Sequence, residues 1–317
     1  MKRAQAVLLL LAGGALARSA SAQDVPRPRV TGVAHIAIFA SDFEKSRAFY
    51  RDFLGFEEPY SLSNPDGTPS LTFFKINERQ YIELFPQSKA GTDRLNHISI
   101  ETDNAEGMRR YLASRGVAVP ASVGKGRIGN SNFSVKDPEG HTVEIVQYEP
   151  DSWTVRERGR HLGAQRISSH MMHVGIIVTQ FDAEMKFYQE VLGFREFWRG
   201  SPTPDQLSWV NLRAPDSDDY IELMLYKDTP PPDQRGTAHH LALEVPDMAQ
   251  SRAALEALPY RKQYPRALEV RTGINRKRQL NLFDPDGTRV ELMEPVTIDG
   301  KPAPSSQAPP PGRTGVR

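Results

Sequence analysis

The sequence predicts an α+β protein built from tandem βαβββ units that form two similar modules. Two observations predict this fold. Segments with the periodicity of strands alternate with amphipathic helices, and one series of sequence landmarks occurs twice in the same order. The 317 residues correspond to about two domains. The net charge of +1 gives no indication of a nucleic-acid partner.

The chain contains no cysteine, which excludes disulfides, thiol nucleophiles, cysteine-ligated zinc and iron–sulfur clusters. It also lacks a GxSxG nucleophile motif, a Walker loop and a dinucleotide-binding glycine motif in its strand and helix context. The sequence therefore gives no support to a serine hydrolase or a nucleotide-binding enzyme.

The N-terminus has the features of a secretory signal peptide over residues 1–22. Met1-Lys2-Arg3 is positively charged, residues 6–17 are mostly apolar, and Ala20-Ser21-Ala22 resembles a cleavage motif. An uncleaved anchor is the alternative, but the apolar run is short for a bilayer span. Cleavage before Gln23 removes three basic residues and no acid, which changes the net charge from +1 to −2. We expect a periplasmic or secreted protein without a membrane span.

Five landmarks define the internal repeat and place one module at 30–150 and a second at 168–296. A polar linker at 151–167 joins them, and a proline-rich tail at 297–317 is expected to be disordered. In the first and second copy, the landmarks are His35-Ile36-Ala37-Ile38 and His173-Val174-Gly175-Ile176, Phe49-Tyr50 and Phe187-Tyr188, Tyr81-Ile82-Glu83-Leu84 and Tyr220-Ile221-Glu222-Leu223, His97-Ile98 and His240-Leu241, and Asp137-Pro138-Glu139-Gly140 and Asp284-Pro285-Asp286-Gly287.

Each module reads as two βαβββ units in chain order. Short β-branched runs predict the first strands, and apolar residues at helical spacing predict the helices that follow. Gly55 and Gly193 occupy C-cap positions, and the Asp-Pro-x-Gly motifs suit type I turns between the last two strands. In the first module the predicted elements are a strand at 33–40, a helix at 43–54, strands near 56–60, 71–76 and 80–85, a strand at 95–101, a helix at 105–115 and three strands up to 147.

The repeat singles out two His and two Glu in otherwise apolar strands of each module. A lone His or Glu in a strand is usually an ordinary surface or core residue, but eight such residues at equivalent positions are harder to explain, because a buried carboxylate is costly unless it is paired or bound to a metal. Imidazole and carboxylate ligands suit zinc, nickel, cobalt, manganese or iron. The candidate metal ligands are His35, Glu83, His97, Glu144, His173, Glu222, His240 and Glu291.

Together, these motifs resemble the vicinal oxygen chelate superfamily, which contains glyoxalases, bleomycin-resistance proteins and ring-cleaving dioxygenases. The resemblance implies that each module has a curved mixed sheet that forms a metal-lined cleft. It also implies that the metal binds two neighbouring oxygens of a small-molecule substrate. A His, Glu, His, Glu set is similar to that of glyoxalase I, in which case Glu144 and Glu291 would act as proton-transfer bases.

The resemblance leaves the reaction open. We expect an exported, divalent-metal-dependent lyase or isomerase of the glyoxalase type. One alternative is an iron-dependent extradiol dioxygenase, and another is a binding protein without catalysis. Relatives also build sites from halves of different modules or chains, so His35 and Glu83 could share a site with His240 and Glu291. A homodimer is equally open.

Overall fold

The computed structural model describes residues 25–312, so the predicted signal peptide lies outside the described residues. Over that range the fold class is confirmed: two mixed eight-stranded sheets follow one another along the chain. In the first module the strands are β1 (Val30–Ala40), β2 (Glu57–Ser63), β3 (Pro69–Lys75), β4 (Tyr81–Pro86), β5 (Leu95–Thr102), β6 (Gly124–Lys125), β7 (Ser131–Lys136) and β8 (Thr142–Gln147).

The second module repeats this plan with eight further strands. They are β9 (Met171–Val178), β10 (Arg195–Gly200), β11 (Trp209–Arg213), β12 (Tyr220–Leu225), β13 (His240–Glu244), β14 (Val270–Thr272), β15 (Lys277–Phe283) and β16 (Arg289–Thr297).

Within residues 25–312, five α-helices connect these strands. Two of them, α1 (Phe43–Ala48) and α4 (Phe181–Met185), continue as π-helical turns over Phe49–Phe53 and Lys186–Val191. Both of these helical segments end at a glycine with positive φ, as the sequence predicts. Short 3-10 turns lie at Pro232–Gln234 and Pro259–Lys262. The α-helices are α1 (Phe43–Ala48), α2 (Ala105–Ser114), α3 (Trp153–Arg156), α4 (Phe181–Met185) and α5 (Met248–Ala257).

Both sheets have the same topology. The strand order is β2-β3-β4-β1-β5-β8-β7-β6 in the first and β10-β11-β12-β9-β13-β16-β15-β14 in the second. In the first sheet β1 runs parallel to β4 and antiparallel to β5, and β5 runs parallel to β8. The four central strands therefore come from both βαβββ units, which brings the two halves of a module together at the middle of its sheet.

A continuous hydrophobic core joins the two modules. The strand β9 is buried along its whole length, and β1 is buried over most of its length, so their side chains pack on both faces of the sheet. Burial of this apolar surface is the main force that holds helices and sheets together. The modules are thus packed against each other rather than connected only by the linker.

Reciprocal hydrogen bonds cross this interface. The Tyr50 hydroxyl donates to the Asp284 carboxylate at 3.2 Å, and the equivalent Tyr188 hydroxyl donates to Asp137 at 3.3 Å. Both tyrosines are buried and belong to the repeated Phe-Tyr motif, while both acids begin an Asp-Pro-x-Gly turn. Each module therefore fixes its helix against the β-hairpin turn of the other.

A second reciprocal pair reinforces the first. The Ser41 backbone N–H donates to the Asp286 carboxylate at 2.7 Å, and the Thr179 hydroxyl donates to Glu139 at 3.0 Å. Asp286 and Glu139 occupy the third position of the two Asp-Pro-x-Gly turns. The turn motif thus supplies two side-chain contacts across the interface in each direction.

The segment predicted to be a polar linker is partly packed. Trp153, in α3, is 6% exposed and lies against Tyr81 and Tyr60, with ring centroids 5.7 and 5.2 Å apart. The ammonium of Lys75 is fully buried and donates to the carbonyls of Glu157 and Arg160 at 2.7 and 2.8 Å. These contacts hold the linker on the first module.

The C-terminal segment, residues 298–312, forms no helix or strand in the described structure, but it is hydrogen-bonded to the second module. The Ser306 N–H donates to the Arg199 carbonyl at 2.9 Å, and the Leu207 N–H donates to the Pro309 carbonyl at 2.7 Å. The described part of the tail is therefore held against β10, in contrast to the disorder expected from its proline content.

No helix within residues 25–312 is long and apolar enough to cross a membrane.

Asp219 links the modules and is bound to a cationic histidine. One carboxylate oxygen of Asp219 accepts from the Val33 N–H at 2.9 Å, and the other lies 2.8 Å from His170 Nε2. The opposite ring nitrogen of His170 lies 3.0 Å from Glu244. The hydrogen bond to Asp219, together with Glu244, raises the pKa of His170 to about 9 although burial opposes this shift.

We therefore predict that His170→Gln destabilises the fold in a pH-dependent way. A folded-state pKa above the unfolded value stabilises the protein fully below pH ~6.5, and the contribution is lost as the pH rises toward 9. After allowance for partial exposure, the loss should be about 1–2 kcal/mol near pH 6 and less than half of that above pH ~9.5. Denaturant unfolding at both pH values measures it. An effect that does not change with pH would contradict a stabilising imidazolium.

Candidate metal centres

Each sheet brings one candidate ligand from each of its four central strands to a common point. In the first module, Glu83 lies in β4, His35 in β1, His97 in β5 and Glu144 in β8. These strands are adjacent in the order β4-β1-β5-β8. The side chains share one face because of the strand register. Ala37, two residues from His35, pairs with both Glu83 and His97, and Ser99, two residues from His97, pairs with Glu144.

In the first centre, three ligand atoms are almost equidistant. His35 Nε2 and His97 Nε2 lie 2.9 Å apart, and Glu144 Oε2 is 3.0 Å from each. The oxygens of Glu83 stand farther away, at 3.6 Å from His35 Nε2 and 3.7 Å from His97 Nε2. The four predicted residues therefore converge, with three in a tight triad and the fourth slightly withdrawn.

The second centre is looser. His173 Nε2 and His240 Nε2 are 3.0 Å apart, and Glu291 Oε2 is 3.7 Å from both. Glu222 Oε2 lies 3.4 Å from His240 Nε2 and 3.9 Å from His173 Nε2. Each centre is thus formed by residues of a single module. The structure does not support the alternative in which His35 and Glu83 share a site with residues of the second module.

These donor sets fit a divalent metal. Ligand atoms about 2.1 Å from one ion are roughly 3.0–3.4 Å from one another, close to the spacings of the triad in the first centre. His240 Nδ1 lies 2.7 Å from the Ala238 carbonyl and His97 Nδ1 lies 3.1 Å from Asn96 Oδ1. In the first centre, donation from His97 Nδ1 to Asn96 leaves the Nε2 lone pair directed at the centre, as in metal-binding histidines. In the second centre, the Arg289 guanidinium lies 2.9 Å from both ring nitrogens of His240, so a cation borders this ligand nitrogen.

Burial and the neighbouring charges set the ionisation in the first centre. Burial raises the pKa of Glu83. Burial also acts on Glu144, but the attraction of His35 and His97 is stronger and lowers the Glu144 pKa. For His35, burial lowers the pKa, and the two carboxylates outweigh it, so that the net shift is upward. Glu144 is therefore the carboxylate that stays ionised most readily here.

In the second centre the histidine pKa values are lowered and the Glu291 pKa is raised, the reverse of the shifts of His35 and Glu144. Burial lowers the pKa of His173 and His240 well below the usual value, and Arg289 adds to the effect on both. Burial, with a contribution from Glu222, raises the pKa of Glu291 to about 7. Neutral imidazoles are the form that binds metals, so the histidines of this module are already in the ligand state.

A glycine makes room for one of the ligands in the second centre. Gly175 pairs with His240 across β9 and β13, and a Cβ at this position would lie 1.9 Å from His240 Cε1. The equivalent residue of the first module is Ala37, which pairs with His97. The two histidine rings therefore occupy different positions relative to the neighbouring strand.

Some residues that border the metal centres were not predicted from the sequence to be functional. The Tyr220 ring lies 4.5 Å from the His173 ring. Tyr220 precedes Glu222 by two residues, so both side chains lie on one face of the strand. This spacing is the sequence signal that points to Tyr220. The first centre is bordered by an aromatic and aliphatic cluster that contains Leu71, Phe73, Tyr81 and Trp153, with Tyr60, Leu62, Phe85, Ile128 and Tyr148 packed against it.

The remaining histidines near these strands lie elsewhere, as the register of the repeat predicts. His239 faces away from the centre, with Nε2 3.5 Å from Asp93 Oδ2. His170 is bound to Asp219 and Glu244, and His141 Nδ1 lies 2.8 Å from Asp137. None of the three joins a group of metal-ligating atoms among the described residues.

We predict that Gly175→Ala disables the second centre and leaves the first intact. The added methyl must displace the His240 ring, which would disturb the contacts of His240 with the Ala238 carbonyl and with Arg289. Metal affinity of one of two sites should fall at least about tenfold, the size of effect seen when a ligand loses its support. Isothermal titration with Mn²⁺ measures both sites. Ala37→Gly is the matched control in the first module, and equal loss in both variants would contradict the steric explanation.

The family model for the Glyoxalase/Bleomycin resistance protein/Dioxygenase superfamily matches residues 32–145 and 170–292. An iron-dependent extradiol dioxygenase of Rhodococcus jostii (strain RHA1) is 31% identical over 146 residues, which are 40% of this chain and 47% of that protein. The chain therefore matches about half the length of that relative. A lactoylglutathione lyase of Salmonella typhimurium is 26% identical over 137 residues, 41% of this chain and 96% of the lyase.

Solved structures show the same fold. The Mn(II)-bound glyoxalase of Novosphingobium aromaticivorans superposes with a TM-score of 0.65 at 17% identity, over 89% of each chain. The 2,3-dioxygenase LapB of Pseudomonas sp. KL28 gives the same score and identity, over 89% of this chain and 99% of LapB. The resemblance seen in the sequence is confirmed: this chain belongs to the Glyoxalase/Bleomycin resistance protein/Dioxygenase superfamily, with one copy of its module in each half.

Proposed function

We propose that this protein is a divalent-metal-dependent lyase or isomerase of the glyoxalase type that acts on a small substrate with two neighbouring oxygens. The observation that supports it most is the fourth ligand. Both modules place a second carboxylate, Glu83 or Glu222, within 4 Å of the imidazole nitrogens. A bound metal ion would act as a Lewis acid on the substrate oxygens.

The role of the chain is then to hold the ion and to move a proton. His35 and His97 would keep the ion in place together with Glu83. Glu144 would accept a proton from the substrate carbon beside one oxygen and return it to the neighbouring carbon. Glu291 would do the same in the second module, where it occupies the position of Glu144 in the repeat.

The second candidate is an iron-dependent extradiol dioxygenase, and a specific observation favours it. His35, His97 and Glu144 form the tighter triad, with spacings of 2.9–3.0 Å, while Glu83 stands back. Two histidines and one carboxylate with open positions suit non-haem iron(II). The 31% identical relative also carries this activity in its name.

Metal content and oxygen uptake distinguish the two. For the lyase or isomerase we expect near two equivalents of zinc, nickel, cobalt or manganese per chain, by elemental analysis, and no oxygen uptake with catechols. Iron near one equivalent with oxygen uptake would contradict it in favour of the dioxygenase. A protein that binds no metal after reconstitution would contradict both and leave the binding protein.

The two glutamates give a sharper test of the proton-transfer role. Glu144→Gln and Glu291→Gln keep size and one ligand oxygen but cannot carry a proton, so each should lower turnover at its own centre by about 10²- to 10⁴-fold. Solvent-deuterium exchange into the product and metal stoichiometry are measured in parallel. Loss of metal without a specific loss of exchange would show that these residues only hold the ion.

We also propose that the protein is exported, on the evidence of residues 1–22. Mass spectrometry of the intact protein from a bacterial periplasmic fraction should then give an N-terminus at Gln23. An intact Met1 in the cytoplasmic fraction would contradict export.

A further inference from the structure

A cavity of about 350 Å³ lies beside the second metal centre. Among the described residues that line it, two are lysines, Lys277 and Lys301, and none is acidic. Its walls include the aromatic side chains of Phe197, Trp198 and Tyr220. This volume is at the lower end of the range for small-molecule sites.

The cavity adjoins the metal ligands through two of its lining residues. Tyr220 packs its ring 4.5 Å from that of His173. Asn211 pairs with Glu222 across β11 and β12, so both side chains project from the same face of the sheet. A molecule in the cavity would therefore lie next to the ligand cluster.

Two polar groups in this cavity lack partners. Asn211 is 3% exposed, and its Oδ1 has no hydrogen-bond partner in the described structure. The Lys277 ammonium has no hydrogen bond or ion pair to any residue within 25–312, although the side chain is half-buried. Burial, with a contribution from Arg213, lowers the pKa of Lys277, although the charges of Glu244 and Glu291 oppose this shift.

The C-terminal segment forms the remaining wall. Its part between Gly300 and Ala303 lines the cavity and includes the exposed Lys301. The Trp198 indole N–H donates to the Pro304 carbonyl at 3.2 Å, which fixes this segment on the aromatic wall. The tail thus adds both a cation and a surface to the site.

The first module has a different arrangement at the same places. Alignment through the Asp-Pro-x-Gly turns puts Asn130 at the position of Lys277. The strand register puts Phe73, opposite Glu83, at the position of Asn211. The first module therefore has no cation at the position of Lys277 and no amide at the position of Asn211, although all four metal ligands are repeated.

We propose that the cleft of the second module binds a ring-bearing organic anion, with Lys277 and Lys301 recognising its carboxylate and the metal centre receiving its neighbouring oxygens. Only the part of this proposal that places the neighbouring oxygens on the metal rests on the proposed function. A carboxylate placed here would neutralise the unpaired ammonium, and the aromatic walls would cover the ring. The asymmetry makes this a property of one module.

The test uses the full chain loaded with Mn²⁺, under argon, and calorimetric titration with 3,4-dihydroxybenzoate and with catechol. The acid should bind one site per chain at least about tenfold more tightly than catechol. Its carboxylate can accept a charge-assisted hydrogen bond from Lys277, and catechol has no carboxylate to do so. Lys277→Met should remove this preference and leave catechol affinity within about twofold, and Lys277→Arg should retain it. Lys186→Met, an exposed lysine of the same module, is the matched control and should change neither affinity.

Two measurements keep the proposal separable from the metal chemistry. Benzoate, which lacks neighbouring oxygens, is titrated into the metal-free protein, where the proposal requires binding that weakens about tenfold in Lys277→Met. In the wild type, the preference for the acid over catechol should shrink as NaCl rises from about 50 to about 500 mM.

Equal affinities of the wild type and Lys277→Met for both carboxylates would overturn the anion site, even if catechol binding depends on metal. Equal affinities of the wild type for the acid and for catechol would overturn it without any variant. Lys277-dependent benzoate binding without metal-dependent catechol binding would instead support the anion site and contradict the proposed function.

Discussion

The burial of two carboxylates and two imidazoles at the centre of each sheet is the constraint on which the rest of the structure depends. Isolated charges are costly at such positions, and the cost is reduced only when the groups face one another or a metal ion. One ligand on each of four adjacent strands achieves this, because the strand order brings β4, β1, β5 and β8 together. The crossing of the two βαβββ units at the sheet centre is what makes the site complete within one module.

Much of this could be predicted because the chain contains its own comparison. Internal repetition distinguished Glu83 and Glu222 from ordinary strand residues, and it fixed His173 rather than His170 as the partner of His35 in the repeat. The type of each element also followed from periodicity and turn chemistry. Only the structure shows that each ligand set lies within one module and is not shared between modules. This arrangement depends on long-range packing, which the local sequence pattern does not report.

Other features depended on contacts between distant segments. The proline-rich tail has the composition of a disordered chain, yet its backbone pairs with Arg199 and Leu207. The linker is polar on average, but Trp153 anchors it in an aromatic cluster. Composition reports the mean behaviour of a segment, whereas one buried side chain or a few backbone hydrogen bonds decide where it lies. The same limit applies to the unpaired Lys277, whose surroundings come from three separate parts of the second module.

The reciprocal contacts between Tyr50 and Asp284, and between Tyr188 and Asp137, have a consequence for how the protein folds and how it can be divided. A single module in isolation would expose a buried tyrosine face and leave an Asp-Pro-x-Gly turn without its partner. The two halves are therefore expected to unfold in one cooperative transition, despite the duplicated architecture. Duplication has here produced two centres whose chemistry can diverge, although the modules that hold them fold and unfold together.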